Sequence, residues 1–304
     1  MELTQTLTRP LAGPAADTAI RTILVSVAGA DADRPLLGKA AAMACTLRAH
    51  LQVLYTHIDP QELAIRMGAW DPMGAAGLGA MIDDVMKDAD IRQQSAKLTF
   101  DEVCGNVGLH IGTSAEAPSA EWITDIGVDS ECLVARGRAA DLIVFVRGVT
   151  PEETPIHLLE ASLIGCGKPI LVLPSGPARF SLERIAIAWK DTPEAARAIT
   201  AALPFVRQAE SVLLMSVEEE GSGTNASPDW VLAGLRRHNS AACRVRLSAE
   251  SRDPVGVLLK EAAGHGAGLL VMGGYGHSRA RETVFGGFTR SILRSAPLPV
   301  LIVH

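Results

Sequence analysis

Residues 297–304 read PLPVLIVH, and residues 167–174 read GKPILVLP. In each, a proline is followed by four aliphatic residues with no polar alternation. That is the composition of a strand buried on both faces of a parallel sheet. Two such closings, about one domain length apart in a chain of 304 residues, predict two α/β units of roughly 150 residues each.

Working back from 299–303, the second half resolves into alternating elements. Strand-like runs fall at 184–189 (RIAIAW), 211–216 (SVLLMS), 243–247 (CRVRL) and 269–272 (LLVM). Between them, 193–206, 229–238 and 254–263 carry helical periodicity, with Pro254 suited to a first turn, and a last helix is expected around 288–293. The order β-α-β-α-β-α-β-α-β favours a parallel sheet with helices on both faces. The first half repeats the scheme at 22–27 (TILVSV), 51–55 (LQVLY), 141–146 (DLIVFV) and 169–174, with an alanine-rich helix over 35–47. Its third strand is not evident from the pattern. The turn-rich segment 175–179 sets the boundary, giving domains 1–177 and 178–304 and a fold of two tandem, doubly wound, five-stranded parallel-sheet α/β domains. The Gly/Ala/Met-rich stretch 67–80 reads as an excursion after the second strand, either a lid or a loop packed on the surface.

Composition removes several classes of function. Hydrophobic residues make up 48% of the chain, which excludes general disorder. A net charge of −6 without basic clusters argues against a nucleic-acid partner. Five scattered cysteines with no C-x-x-C pair suggest neither a zinc knuckle nor a dithiol centre. The opening residues lack a signal-peptide pattern, and no apolar run reaches the about 18 residues of a membrane span. The expectation is a soluble, cytoplasmic protein without a membrane partner.

The chemistry concentrates in residues 271–291, VMGGYGHSRARETVFGGFTRS. This stretch leaves the fourth strand of the second half and enters the last helix, and ligands of open α/β sheets bind beyond the carboxyl ends of strands. Glycines let the backbone approach an anion, and a helix N-terminus offers unpaired N–H groups to phosphate. Gly273, Gly274, Gly276, Gly286 and Gly287 lie at the two ends of this loop, with His277, Ser278, Arg279 and Arg281 between them. The stretch is not a Walker loop, because no Gly-Lys-Ser/Thr closes it. Nor is it the dinucleotide fingerprint, which follows a first strand and would need glycine where Arg279 stands. A glycine-rich connection without a ligand is the plain alternative, and no G-x-S-x-G elbow frames Ser278 as a nucleophile beside His277. No catalytic residue is assigned.

The spacing that does fit is G-x-x-G, nine residues, then G: Gly273, Gly276, Gly286. With MGGYGHSRARETVFGGFTRSIL after one strand and PLPVLIVH following, the chain resembles the universal stress protein family in a tandem, two-domain form. That resemblance implies an adenine nucleotide alpha hydrolase-like fold that binds ATP or another adenine nucleotide, works in the stress response in the cytoplasm, and pairs through its last strands. Pairing within the chain and a homodimer both stay open. Carried over by position, the resemblance puts Gly273, Gly274, Gly276, His277, Ser278, Gly286 and Gly287 at the phosphates, with Thr289 supplying the hydroxyl that Gly287 lacks. It puts Ala188, Lys190 and Asp191 at the end of the first strand, and Ser216 and Val217 at the adenine edge. Lys190 stands where an Asp is usual, and Asp191 or Thr192 could equally be a simple helix cap. Glu218, Glu219 and Glu220 are either Mg²⁺ ligands beside a triphosphate or a solvated loop. Trp122, Trp189 and Trp230 are read as packing residues rather than base platforms.

The loop of the first half, RGVTPEETP at 147–155, has no G-x-x-G and carries acids and prolines, so no nucleotide is expected there. The functional expectation is a nucleotide-binding stress protein with little or no turnover. The alternatives are an interaction scaffold with vestigial pockets, or a slow ATPase.

Overall fold

The computed structural model describes residues 20–30, 33–66, 75–113, 118–147, 156–176, 180–218, 227–248, 253–274 and 287–304. By internal contacts the chain forms two compact units, one ending at Gly127 and the other running from Val128 to His304. The strand order restarts near residue 180, as the sequence suggests. The contact boundary falls earlier because the strands that close the two halves pair with each other.

In unit 1, β1 (Thr22–Val27), β2 (His50–His57), β3 (His110–Ile111) and β4 (Ser119–Ile126) lie in the order β3-β4-β2-β1, all parallel. β1 is one of the continuous apolar runs, and Ile23, Leu24 and Val25 are wholly buried. The strand that periodicity did not reveal is β4. Its sequence, SAEWITDI, is half solvated beside the two-residue β3, so it never needs an unbroken apolar run. Among the described residues, three helices complete the unit: α1 (Asp33–Leu47), α2 (Pro60–Arg66) and the 33-residue α3 (Ala75–Val107). Of the expected excursion 67–80, the last six residues belong to α3, while 67–74 lie outside the described residues. Ala and Leu spacing sustains the helix there despite Gly77 and Gly79, because helix propensity yields to length and context.

Unit 2 holds α4 (Asp129–Gly137), β5 (Leu142–Val146), α5 (Ile156–Gly165) and β6 (Ile170–Leu173). These are followed by β7 (Arg184–Trp189), α6 (Pro193–Val206), β8 (Ser211–Glu218), α7 (Ser227–Arg236), β9 (Ala242–Ser248), α8 (Pro254–Gly264), β10 (Leu269–Gly273), α9 (Gly287–Ser295) and β11 (Val300–Val303). Its strands run in the order β5-β6-β11-β10-β7-β8-β9. All neighbours are parallel except β6 and β11, which pair antiparallel through Ile170↔Ile302 and Val172↔Val300. Both closing strands quoted at the outset are therefore paired to each other within the chain. Each already has two neighbours, so neither offers a free edge to a second copy. β9 is an edge, and its alternation leaves Cys243 and Arg246 exposed while Ala242 and Leu247 are buried. No helix among the described residues is long and apolar enough to cross a membrane.

Candidate functional site

The carboxyl ends of β7, β8 and β10 bring the second-half candidates together. In register, Ala188 is the partner of Met215 and Met272, and Trp189 is the partner of Ser216. The strands are parallel and adjacent, so the residues that end them border one crevice. Trp189 is held in place by its indole N–H, which donates to Ser227 Oγ at 3.0 Å on the first turn of α7. Its ring is half-buried. Trp230, by contrast, is 73% exposed.

Five buried side-chain atoms have no hydrogen-bond partner among the described residues, in Thr56, Ser162, Ser216, Arg244 and His265, and Ser216 is the one at this crevice. The residue is buried, and its Oγ has no hydrogen-bond partner among the described residues. A buried hydroxyl left unsatisfied costs about 1–3 kcal/mol, so such groups are uncommon unless something else completes them. Val217 follows in the same strand.

Gly273 and Gly274 are glycines for steric reasons. A Cβ at Gly273 would lie 2.5 Å from Ala195 N and 2.7 Å from Glu194 C, backbone atoms of the first turn of α6. A Cβ at Gly274 would lie 2.9 Å from Ile302 and 3.1 Å from Leu163 Cδ2. The Gly274 N–H donates to Val303 O at 2.7 Å, and His304 Nδ1 stands 3.3 Å from Gly274 O. The base of the glycine loop is thus clamped between α6, β11 and α5. Leu163 comes from the first half of the sequence, and spacing alone could not have pointed to it.

At the α6 N-terminus the N-cap is Thr192, with extended backbone, and its Oγ1 accepts from Ala195 N at 3.3 Å. Asp191 and Lys190 are exposed, and the Lys190 carbonyl accepts from Thr192 N at 2.8 Å. Burial raises the Glu194 carboxyl. Its own N–H, the Thr192 hydroxyl and Arg197 outweigh that and hold it below the usual carboxylate range. This helix end is therefore already capped by the chain's own oxygens. α9 is the other helix at the loop. Thr289 is buried in its first turn, while Gly287 is exposed with open space around a Cβ, so no steric demand explains glycine there. Gly276, His277, Ser278 and Gly286 lie outside the described residues, as do Arg279, Arg281, Glu219 and Glu220. Among the described residues no cluster of three or more His, Cys, Asp or Glu could hold a metal ion.

The corresponding place in unit 1 is differently furnished. Asp33 is buried, and its carboxylate accepts from the N–H groups of Ala28 (3.2 Å), Gly29 (2.6 Å) and Ala30 (3.1 Å). Burial pushes its carboxyl up, and those three donors pull it back. α3 lies across the strand ends. Tyr55 OH donates to Ala89 O at 2.8 Å, His57 Nε2 is 2.9 Å from Asp90 Oδ1, and Gln93 Nε2 donates to Thr124 Oγ1 at 3.3 Å. Gly29, at φ +79°, sits so close to α3 that a Cβ would lie 2.5 Å from Arg92 O.

At the amino ends of β2 and β4, His50 Nδ1 is 2.8 Å from Ser119 Oγ, and its Nε2 is 3.3 Å from Glu121 Oε1. The linkage has the order of a Ser-His-carboxylate relay, but it lies at the amino ends of the strands, away from the carboxyl ends where ligands of such sheets bind. It ties two strands together.

Comparison with known proteins agrees with this architecture. Residues 182–304 match the model of the universal stress protein family. Universal stress protein Slr1230 of Synechocystis sp. (strain ATCC 27184 / PCC 6803 / Kazusa) is 24% identical over 294 residues, spanning 93% of this chain and 99% of that protein. Among solved structures, a universal stress protein from Archaeoglobus fulgidus DSM 4304 superposes with a TM-score of 0.59 at 16% identity, covering 93% of this chain and 95% of its own. A putative universal stress protein from Pseudomonas aeruginosa UCBPP-PA14 gives 0.54 at 14% identity, covering 94% and 93%. The chain has the α/β fold of these proteins, and the family match is confined to residues 182–304.

Proposed function

We propose that the domain formed by residues 178–304 binds one adenine nucleotide, ATP foremost, in the crevice beyond β7, β8 and β10, with little or no turnover. The protein would serve as a cytoplasmic nucleotide-responsive component of a stress response. The observation that carries this reading is the Ser216 hydroxyl, buried at the strand end without a partner among the described residues. An adenine edge, with its ring acceptors and exocyclic amine, supplies the partner that the hydroxyl lacks. One further feature supports it, the family match over residues 182–304. Lys190, exposed at the same crevice, suits a phosphate group, and Mg²⁺ would arrive with the triphosphate. Residues 1–177 act as the partner domain without a nucleotide of their own.

Equilibrium dialysis with ATP is expected to give one nucleotide per chain, and inorganic phosphate release should stay at the buffer rate. Two nucleotides per chain would overturn the assignment to one domain, and steady release would make the protein a slow ATPase. A second reading, a scaffold without a nucleotide, draws on the α6 N-terminus, whose N–H groups are already met by Thr192 and whose first turn carries Glu194. No binding by dialysis and no adenine nucleotide retained through native purification would favour it.

A further inference from the structure

Arg147 and Gly274 occupy one structural position in unit 2. Arg147 follows β5, and its N–H donates to Leu173 O at the end of β6 at 2.8 Å. Gly274 follows β10, and its N–H donates to Val303 O at the end of β11 at 2.7 Å. Because β6 and β11 pair antiparallel, each of these residues meets the helix that precedes the other's closing strand. Gly274 packs against Leu163 of α5, with room only for glycine. Arg147 carries a long cation instead, and its Nη1 donates to Leu293 O of α9 at 3.1 Å.

Leu293 is in the last turn of α9, where carbonyls have no partner within the helix and the helix dipole is negative. The neighbouring Ile292 carbonyl is met by Ala296 N at 2.8 Å, and the Leu293 carbonyl is met by the guanidinium. Arg147 is half-buried, and burial alone pulls its pKa down, so removing its partner would strand a desolvated charge. A second contact from the same half reaches the same helix, with Glu160 Oε1 on α5 4.0 Å from Arg290 Nη2.

We propose that Arg147 is a positioning residue for α9: from the half that lacks the glycine loop, it pins the C-terminal turn of this helix and thereby aims its N-terminal turn, Gly287 to Thr289, at the second-half site. A nine-residue helix moves as a short rod, so holding one end sets the direction of the other. The role at the ligand rests on the nucleotide reading above; the pinning of α9 does not.

The test is hydrogen–deuterium exchange of the full chain with and without ATP, together with ATP dialysis, on Arg147→Met, which keeps the apolar stem, and Arg147→Lys, which keeps a donor. In Arg147→Met the amides of 288–295 should exchange about tenfold faster, matching the loss of one charge-assisted hydrogen bond. β10 and β11 should be unchanged, and ATP affinity should fall several-fold at unchanged stoichiometry. Arg147→Lys should recover most of both effects. Unaltered exchange of α9 in Arg147→Met would overturn the pin. So would faster exchange spread evenly over β5, β6 and α9 with no rescue by lysine. Faster α9 exchange with unchanged ATP affinity would reduce Arg147 to packing and overturn its positioning role. If the wild-type chain binds no ATP, the nucleotide reading fails by itself, and the exchange results still decide the pin.

Discussion

Tyr55 and Ser216 stand at matching places in the two units, each at the carboxyl end of a second strand and opposite the last residue of a first strand, Val27 and Trp189 respectively. Their polar groups meet opposite fates. The Tyr55 hydroxyl is satisfied by Ala89 of α3, and the chain's own Asp33 fills the N–H groups beyond β1. The Ser216 hydroxyl is buried and unmet among the described residues. The same strand geometry thus leaves the Tyr55 hydroxyl met within its unit and the Ser216 hydroxyl unmet, although Thr56, next to Tyr55, also has a buried hydroxyl without a partner among the described residues. The difference lies in what crosses the strand ends, because the strands themselves pair alike.

The comparison breaks most visibly at its glycines. Gly273→Val would drive a branched side chain into the backbone of Glu194 and Ala195, so second-half stability should fall by about 3 kcal/mol and ATP binding should vanish. Denaturant titration and dialysis read the two effects. Gly29→Ala combines a left-handed backbone with a clash against Arg92, so unit 1 should lose about 2 kcal/mol while ATP binding in the second half is retained. Equal loss of binding in both variants would mean that the two crevices do not act separately.

Tyr55→Phe should cost about 1 kcal/mol by removing one hydrogen bond. It also carries a pH signature. Burial raises the Tyr55 phenol above its ordinary 10.0, with Arg92 opposing, so the folded state keeps this proton longer than the unfolded chain. Its contribution is complete below pH 10.0 and is lost as pH rises through the raised value, and the alkaline limb of stability should flatten in the phenylalanine variant. Ser216→Ala should raise ligand-free stability by about 1 kcal/mol, because the cost of an unmet buried hydroxyl is removed and no bond is lost. ATP affinity should nevertheless fall about tenfold. A stability loss in Ser216→Ala matching that of Tyr55→Phe would erase the contrast between the two hydroxyls.

Much of this was legible beforehand where physics is local. Continuous aliphatic runs marked β1, β5, β6, β7, β8, β10 and β11, and Pro193 and Pro254 marked helix starts. The G-x-x-G spacing points to Gly273, and the family resemblance to Ser216 at a strand end. β4 leaves no apolar signature because a half-solvated strand needs no apolar run, and the glycines of the first turns of α3 carry a loop's composition into a helix. Leu163 beneath Gly274 and Arg147 on Leu293 O depend on pairing between strands distant in sequence, which no local pattern encodes.

By itself the sequence determined the alternation of strands and helices, the two closing strands and the glycine loop, because periodicity and the steric freedom of glycine are properties of short stretches. Only the tertiary structure decided that the closing strands pair with each other, that α3 meets the Tyr55 hydroxyl and that the Ser216 hydroxyl is left unmet among the described residues. Those outcomes depend on which distant side chains arrive at a strand end and whether a buried polar group finds a partner there.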